Sequence, residues 1–360
     1  MDRYEIFTDH GHGLFEQRLD DIYQQIKDYL EAEQQQQRML CYTKIFLSDI
    51  ANQEDLLRQS PLMTGENVDG ETTGHGLLGG AACTIIQQSP IGGAKIGVLL
   101  KTSDEQEPFV LHSLRLTDDE VMNFGSYMQT IMLFDKYLAL LSSHLSPLTS
   151  HPSPLTLKDH CVRTWIYVRD IDTNYDGVVK ARNDVFRQHG LTIDTHFIAS
   201  TGIGGRAMGK NVCVAIDFLT APDIKPDDLL YLKALDHLNP THEYGVAFER
   251  GVRVSLPHKY EYFISGTASI NNRGEVINVG NVTKQAERLL ENIGALLSDG
   301  GATMADVKYF IIYLRDLADA AAIEEYMQQA YPHVPHIITH AKVCRPAWLV
   351  EMECIASRLF

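Results

Sequence analysis

Three stretches of the chain are apolar at almost every position and end in the same way. Residues 41–50 read CYTKIFLSDI, residues 161–171 read CVRTWIYVRDI and residues 308–317 read KYFIIYLRDL. Each is a β-type run closed by a short polar step, an Asp, and an Ile or Leu, which predicts a buried strand turning into a helix. A helical pattern precedes each run, over 14–33, 126–142 and 283–298. A second helix is expected after each, at about 53–60, 174–189 and 319–330. Two further strands then follow: 81–88 and 94–102, 196–201 and 212–220, 336–343 and 348–356. The shared order of helix, strand, helix, strand, strand predicts an α+β chain of three internal repeats. The expected division is 1–105, 106–225 and 226–360, the last beginning with a linker.

The repeated aspartates Asp49, Asp170 and Asp316 invite a chemical reading. An Asp between a strand and a helix is better read as a turn and N-cap residue that accepts backbone N–H groups. Residues 143–156 (SHLSPLTSHPSPLT) predict an exposed loop, and 219–243 a longer connection with one short helical stretch. The run YEYFISGTASINNRGEVIN predicts a hairpin turning at Asn271–Gly274.

Charge narrows the function. The chain has 360 residues with 31 Lys+Arg against 47 Asp+Glu, a net charge of −16. Such a surface lacks the attraction to phosphate that general nucleic-acid binding needs. The first residues show no basic start followed by an apolar run, and the longest apolar stretches, such as Tyr309–Leu314, fall far short of the ~20 residues of a membrane span. The six cysteines are scattered with no CxxC pair. That usage suits free thiols in a reducing compartment, so a cytoplasmic location is expected.

Two motif matches carry little. Gly74-His75-Gly76-Leu77-Leu78-Gly79 fits GxGxxG, but a polar loop precedes it and a strand pattern follows, the reverse of a dinucleotide fold. His333, His336 and His340 are separated by Pro335 and preceded by Pro332, so no helix places them on one face. No metal and no organic cofactor is expected.

Residues 254–358 resemble the RidA/YjgF superfamily. The likeness is carried by YFISGTASI, the glycine turn before Glu275-Val276, the helix QAERLLENIGALLSDGGATMADV, the run IIYLRDL and the closing strand LVEMECIAS. It implies a chorismate mutase-like fold, with helices on one face of mixed sheets. Family members form trimers with ligand sites between subunits, so three units in one chain imply an intrachain pseudo-trimer. Such a chain would stand alone as a monomer or pair into a low-order homo-oligomer. The family's deaminases start the penultimate strand with an Arg that holds a carboxylate; Pro335–His340 has none, and neither His nor Ile replaces its bidentate contact.

The second and third units together are similar to the chorismatase branch. Arg163-x-Trp165-x-Tyr167-x-x-Asp170-Ile171, the spacing Tyr175–Arg182–Phe186, the glycine loop Ala199–Gly204, Tyr244-Gly245 with Phe248–Gly251, and Cys344-Arg345-Pro346 with Leu349–Glu351 carry that resemblance. The Tyr244–Arg250 segment is shorter than the family pattern and has Glu249 in place of Ser. The resemblance implies release of pyruvate from chorismate or a related enolpyruvyl ring acid, with Glu351 as general acid. It also implies Arg163, Arg182 and Arg250 as carboxylate anchors and Gly251 and Cys344 as pocket residues, a pair that goes with 3-hydroxybenzoate as product. Thr201, Arg206 and Tyr244 complete the candidate substrate-binding set.

The residues support parts of this on their own. Glu351 and Glu353 alternate onto one face of a strand with Leu349, and two carboxylates near apolar neighbours raise the pKa of at least one. A small anionic metabolite is the expected partner, with no nucleic acid or membrane. An imine deaminase and a non-enzymatic binder of small acids are the alternatives. Endoribonuclease activity is disfavoured by the charge.

Overall fold

The computed structural model describes residues 1–66, 72–73, 76–143 and 154–360, apart from the side chains of Glu66, Thr72, Thr73 and Tyr244. Most of the 143–156 loop and Gly74-His75 of the glycine motif lie outside the described residues. The three Asp-terminated runs become the central strands of three successive sheets.

The first unit comprises β1 (Arg3–Thr8), α1 (Phe15–Gln35), β2 (Met39–Leu47), α2 (Ile50–Gln59), β3 (Ala82–Gln87), β4 (Ser89–Pro90) and β5 (Ile96–Ser103). Its sheet runs β1-β5-β2-β3, with β2 and β3 parallel. The second comprises β6 (Val110–Leu114), α3 (Ser126–Ser143), β7 (Cys161–Val168), α4 (Ile171–Gln188), β8 (Ala199–Gly204) and β9 (Val214–Thr220), in the sheet order β8-β7-β9-β6. The third adds β10 (Leu229–Tyr231), β11 (Gly251–Ser255), β12 (Lys259–Thr267), α5 (Val282–Asp299), β13 (Val307–Leu314), α6 (Ala320–Ala330), β14 (His336–His340) and β15 (Val350–Leu359). Its sheet is β10-β11-β12-β15-β13-β14, and β4 of the first unit joins as the last strand.

Each sheet carries two helices on one face. In α1 the buried residues Phe15, Leu19, Ile22 and Ile26 recur at helical spacing and form a small core with Leu57 and Leu78. A larger continuous core runs through the other two units and reaches Tyr4, Phe46 and Leu99 of the first. The helix-free faces meet one another. Lys44 lies 3.4 Å above the Trp165 ring, Tyr4 packs 5.2 Å from Tyr309, and Arg163 pairs with Glu353. Every unit thus touches both others, and the chain closes on itself as a pseudo-trimer.

The predicted order lacked a strand. β1 and β6 open the first two units ahead of the first helix, as β12 does in the third, because β5 and β9 each need an antiparallel neighbour on their free side. The expected hairpin is reduced to a turn. Gly274, at φ +74°, closes it by donating to the Asn271 carbonyl at 3.0 Å, and a single bridge joins Ile270 to Val276. The chain then leaves the sheet, since Asn281 caps α5 by accepting from the Lys284 amide at 2.9 Å. Of the three aspartates, Asp316 caps through its side chain, accepting from the Ala318 amide at 2.9 Å. Asp49 and Asp170 occupy the N-cap position without that bond, and Asp170 takes a left-handed backbone at φ +48°. Among the described residues no helix is long and apolar enough to cross a membrane.

Candidate active site

The repeat motif allows the three units to be superposed by residue. Tyr313, Tyr167 and Phe46 occupy the same place before the Asp step. Their antiparallel partners are Glu351, Ala215 and Gly97, and two residues further along stand Glu353, Asp217 and Leu99. Only the third unit therefore carries a carboxylate at the first of these positions.

Glu351 opens into a cavity of about 550 Å³ between the second and third units. Tyr175 and Arg182 of α4 and Gly202 of β8 form one wall; Phe248, Arg250, Gly266 and the Cys344–Trp348 turn form the other. Gly266 is required at this place. A Cβ there would stand 2.0 Å from the Glu351 carboxyl oxygen. The Glu351 side chain has no hydrogen bond or ion pair among the described residues and is only 4% exposed. Burial, and then the charge of Glu353, push its carboxyl up to about 8, against the pull of Arg163 and Arg250. At neutral pH it is a protonated acid facing a cavity, a combination typical of acid–base catalysts.

Glu353, on the same strand face, is treated in the opposite way. Arg163 Nη2 donates to it at 2.7 Å, Trp165 Nε1 at 2.7 Å, and the Thr201 hydroxyl adds a third bond. Its negative charge is thereby fixed in the interior beside Glu351. Arg163 also reaches the Ser265 hydroxyl at 3.3 Å and lies 4.9 Å from the Trp165 ring. Arg163 and Thr201 thus stand behind the cavity wall, against the expectation that they contact substrate. The reason is strand alternation: Arg163, Trp165 and Tyr167 share the face that meets β15, and a buried carboxylate there claims the guanidinium.

Arg182 does line the cavity. It is 1% exposed, and its Nε and Nη2 have no hydrogen-bond partner among the described residues. Its guanidinium lies 5.7 Å from the Phe248 ring centre, and that of Arg250 lies 5.5 Å from the same ring. Arg250 is tied at its base, donating from Nη2 to the Asn239 carbonyl at 3.0 Å. Five cationic side chains (Lys180, Arg182, Arg187, Arg250 and Arg345) line the cavity against Asp176 and Asp184 and the protonated Glu351. A chain of strongly negative net charge concentrates positive charge at this place.

Cys344 sits in the wall as expected, but burial pushes its thiol up to about 12, so it is not a thiolate. Two expected residues lie elsewhere. Gly251 is within β11, where an added Cβ would meet Ile264, Leu232 and the Phe263 carbonyl. Arg206 faces a separate, shallower cavity beside Gln87 and Lys342, because its backbone bridges to Gln87 of the first unit. The side chain of Tyr244 lies outside the described residues. Tyr175, Phe248, Trp348 and Gly266 were not singled out as site residues in the sequence. The helical spacing of Tyr175 and Arg182 and the glycine inside an apolar strand are the signals that point to two of them.

Comparison with known proteins agrees with this architecture. Residues 252–358 match the family model described as Endoribonuclease L-PSP. A RutC family protein of Pyrococcus abyssi is 33% identical over 99 residues, which cover 27% of this chain and 77% of that protein. The 3-aminoacrylate deaminase RutC of Acinetobacter baylyi is 28% identical over 96 residues, 26% of this chain and 76% of that enzyme. A chorismatase crystal structure is 17% identical, with a TM-score of 0.63, covering 99% of this chain and 98% of that one. The chain belongs to the RidA/YjgF family, and over its whole length it has the fold of a chorismatase.

Proposed function

We propose that the chain cleaves chorismate, or a closely related enolpyruvyl ring acid, and releases pyruvate. The observation that carries this reading is Glu351: a buried carboxylic acid without a protein partner, opening into a cavity with the unsatisfied guanidinium of Arg182. An enol ether is cleaved by protonation. Glu351 gives its proton to the terminal methylene of the enolpyruvyl group, leaving a carbocation stabilised by the ether oxygen. Water adds to that centre and returns a proton to the Glu351 carboxylate. The hemiketal then collapses, the ether oxygen leaves as the ring hydroxyl, and pyruvate departs.

Arg182 and Arg250 hold the two carboxylates of the substrate, with the Phe248 ring beside both. Cys344 stands beside Tyr175 in the wall, at the position that the resemblance ties to 3-hydroxybenzoate, which is the product proposed; the ring diol left by the hydrolysis reaches it by losing water, the protonated C4 hydroxyl leaving and C3 giving up its hydrogen as a proton as the ring becomes aromatic. The ligand is a small anion, and the two walls belong to one chain, so the site needs no second copy.

Incubation of the pure protein with chorismate, following pyruvate by a coupled assay and ring products by chromatography, tests the reading. Pyruvate with 3-hydroxybenzoate is expected. Pyruvate with a non-aromatic dihydrodiol acid keeps the reaction class and discards the product. No pyruvate at high enzyme concentration overturns chorismate as substrate.

One observation favours a second reading, the imine deaminase. Arg182 and Arg250 supply from other elements the carboxylate anchor that β14 lacks, since β14 begins at His336. Freshly generated 2-iminopropanoate separates the two readings. Its accelerated hydrolysis by wild-type protein, without turnover of chorismate, selects the deaminase.

A further inference from the structure

One wall of the cavity is a strap, residues 241–250, whose base and tip are held differently. At the base, the Thr241 hydroxyl donates to the Phe248 carbonyl, and Arg250 donates to the Asn239 carbonyl at 3.0 Å. At the tip the chain turns through Gly245, at φ +83°. Among the described residues, both hydrogen bonds between the tip and α4 belong to one side chain: Asn183 Nδ2 donates to the Gly245 carbonyl at 3.0 Å, and the Ala247 amide donates to Asn183 Oδ1 at 3.2 Å. Asn183 follows Arg182 on α4, and the residue after Ala247 is Phe248, whose ring lies within 5.7 Å of the Arg182 guanidinium and 5.5 Å of that of Arg250.

We propose that Asn183 is a positioning residue that latches the strap tip to α4 and so holds the Gly245–Ala247 turn, and the Phe248 that follows it, opposite Arg182, setting the cavity to the spacing of a two-carboxylate ligand. The inference rests on the reading of the cavity as a site for a dianion. A primary amide suits the task because it offers a donor and an acceptor at fixed separation to one carbonyl and one N–H. Aspartate offers acceptors alone, and leucine of similar volume offers neither. A strap held only at its base keeps Arg250 by its Asn239 contact and the Phe248 carbonyl by its Thr241 contact but loosens the Gly245–Ala247 turn that forms the wall before the Phe248 ring, so ground-state binding suffers more than the chemical step.

The test uses the full chain and the variants N183L, N183S and N183D, with hydrogen exchange at Val246–Ala247 and kcat and KM on chorismate. In N183L and N183S, exchange at Ala247 is expected to rise about tenfold or more, and KM about tenfold, with kcat changed less than about threefold. N183D keeps an acceptor for the Ala247 amide, so it is expected to restore slow exchange there while KM stays high. Exchange in N183L and N183S within about twofold of wild type means that something else holds the strap, and overturns the latch. Faster exchange with unchanged KM overturns its role in binding. If wild-type protein does not turn over chorismate, the functional reading fails by itself, and exchange with and without 3-hydroxybenzoate decides the latch. Protection of the strap by that acid in wild type but not in N183L supports it, and equal protection in both overturns it.

Discussion

Two clefts of this molecule share one geometry and differ in one carboxylate. The cavity between the first and second units, about 520 Å³, is built from α2, β3, the end of β6 and the loop after β8, the counterparts of the elements around Glu351. It too keeps a buried acid on its central strand: Asp217 accepts from Arg115 at 2.9 Å, Thr84 at 2.7 Å, Ser113 at 2.9 Å and Tyr167 at 3.1 Å. Asp217 thus matches Glu353 in place and treatment. What the first cleft lacks is the second acid, since Ala215 stands where Glu351 does. A cavity and a buried ion pair recur as features of the fold; the unpaired acid and the unsatisfied arginine occur in one of the two. The comparison teaches that the site is made by the residue left without a partner, because a fully hydrogen-bonded charge has nothing left for a ligand.

The comparison is broken most sharply at its centre. Glu351→Gln keeps the shape and removes the proton donor, so kcat for pyruvate release is expected to fall about 10²- to 10⁴-fold with KM little changed. Ala215→Glu is expected to add no turnover in that background, because the arginines that line the first cleft, Arg58 and Arg115, are paired with Glu54 and Asp217; recovery of activity would dissolve the distinction drawn between the clefts. A smaller effect is expected at the arginines. Arg182→Met should lower kcat/KM about 10- to 100-fold, chiefly through KM. Arg115→Met should leave turnover intact and cost about 3 kcal/mol in denaturant unfolding, since the buried Asp217 then loses its principal charged partner. Activity lost in Arg115→Met, with a folded second unit, would show that the first cleft takes part in the reaction.

The pH profile sharpens the contrast between the paired carboxylates. Glu351 must be protonated to act, so kcat is expected to fall as pH rises through about 8. Glu353→Gln removes a negative neighbour. The Glu351 carboxylate then becomes less unfavourable, its proton leaves at lower pH, and the fall in kcat moves down by about one unit. A limb that stays in place would show that burial alone sets it.

The sequence carried most of the fold because its strands and helices are strongly periodic and the Asp-closed runs repeat. It underspecified β1 and β6, short strands whose role is to pair with the free side of β5 and β9. Within the site, Glu351, Arg182, Arg250 and Cys344 were legible and the structure gathers them around one cavity. Arg163 and Thr201 read as contacts because sequence shows the residue type and not the competing acid; Glu353 approaches them from another unit, 190 and 152 positions away. Asn183 gave no signal at all, since its two partners are backbone groups of residues with no chemical character of their own.

The third junction has gone the other way. Gly97 holds the place of Glu351 there, and an added Cβ would lie 2.5 Å from Ile337 and 3.3 Å from Pro90. β4, which contains Pro90, seals the edge of β14. One chain therefore presents three versions of a single junction: armed, unarmed and filled. A ring of three identical subunits has no such freedom, because any change to one of its clefts is made three times over. Joining the units in one polypeptide releases each cleft from its copies, so that one is free to take up chemistry while another is given over to holding the ring shut.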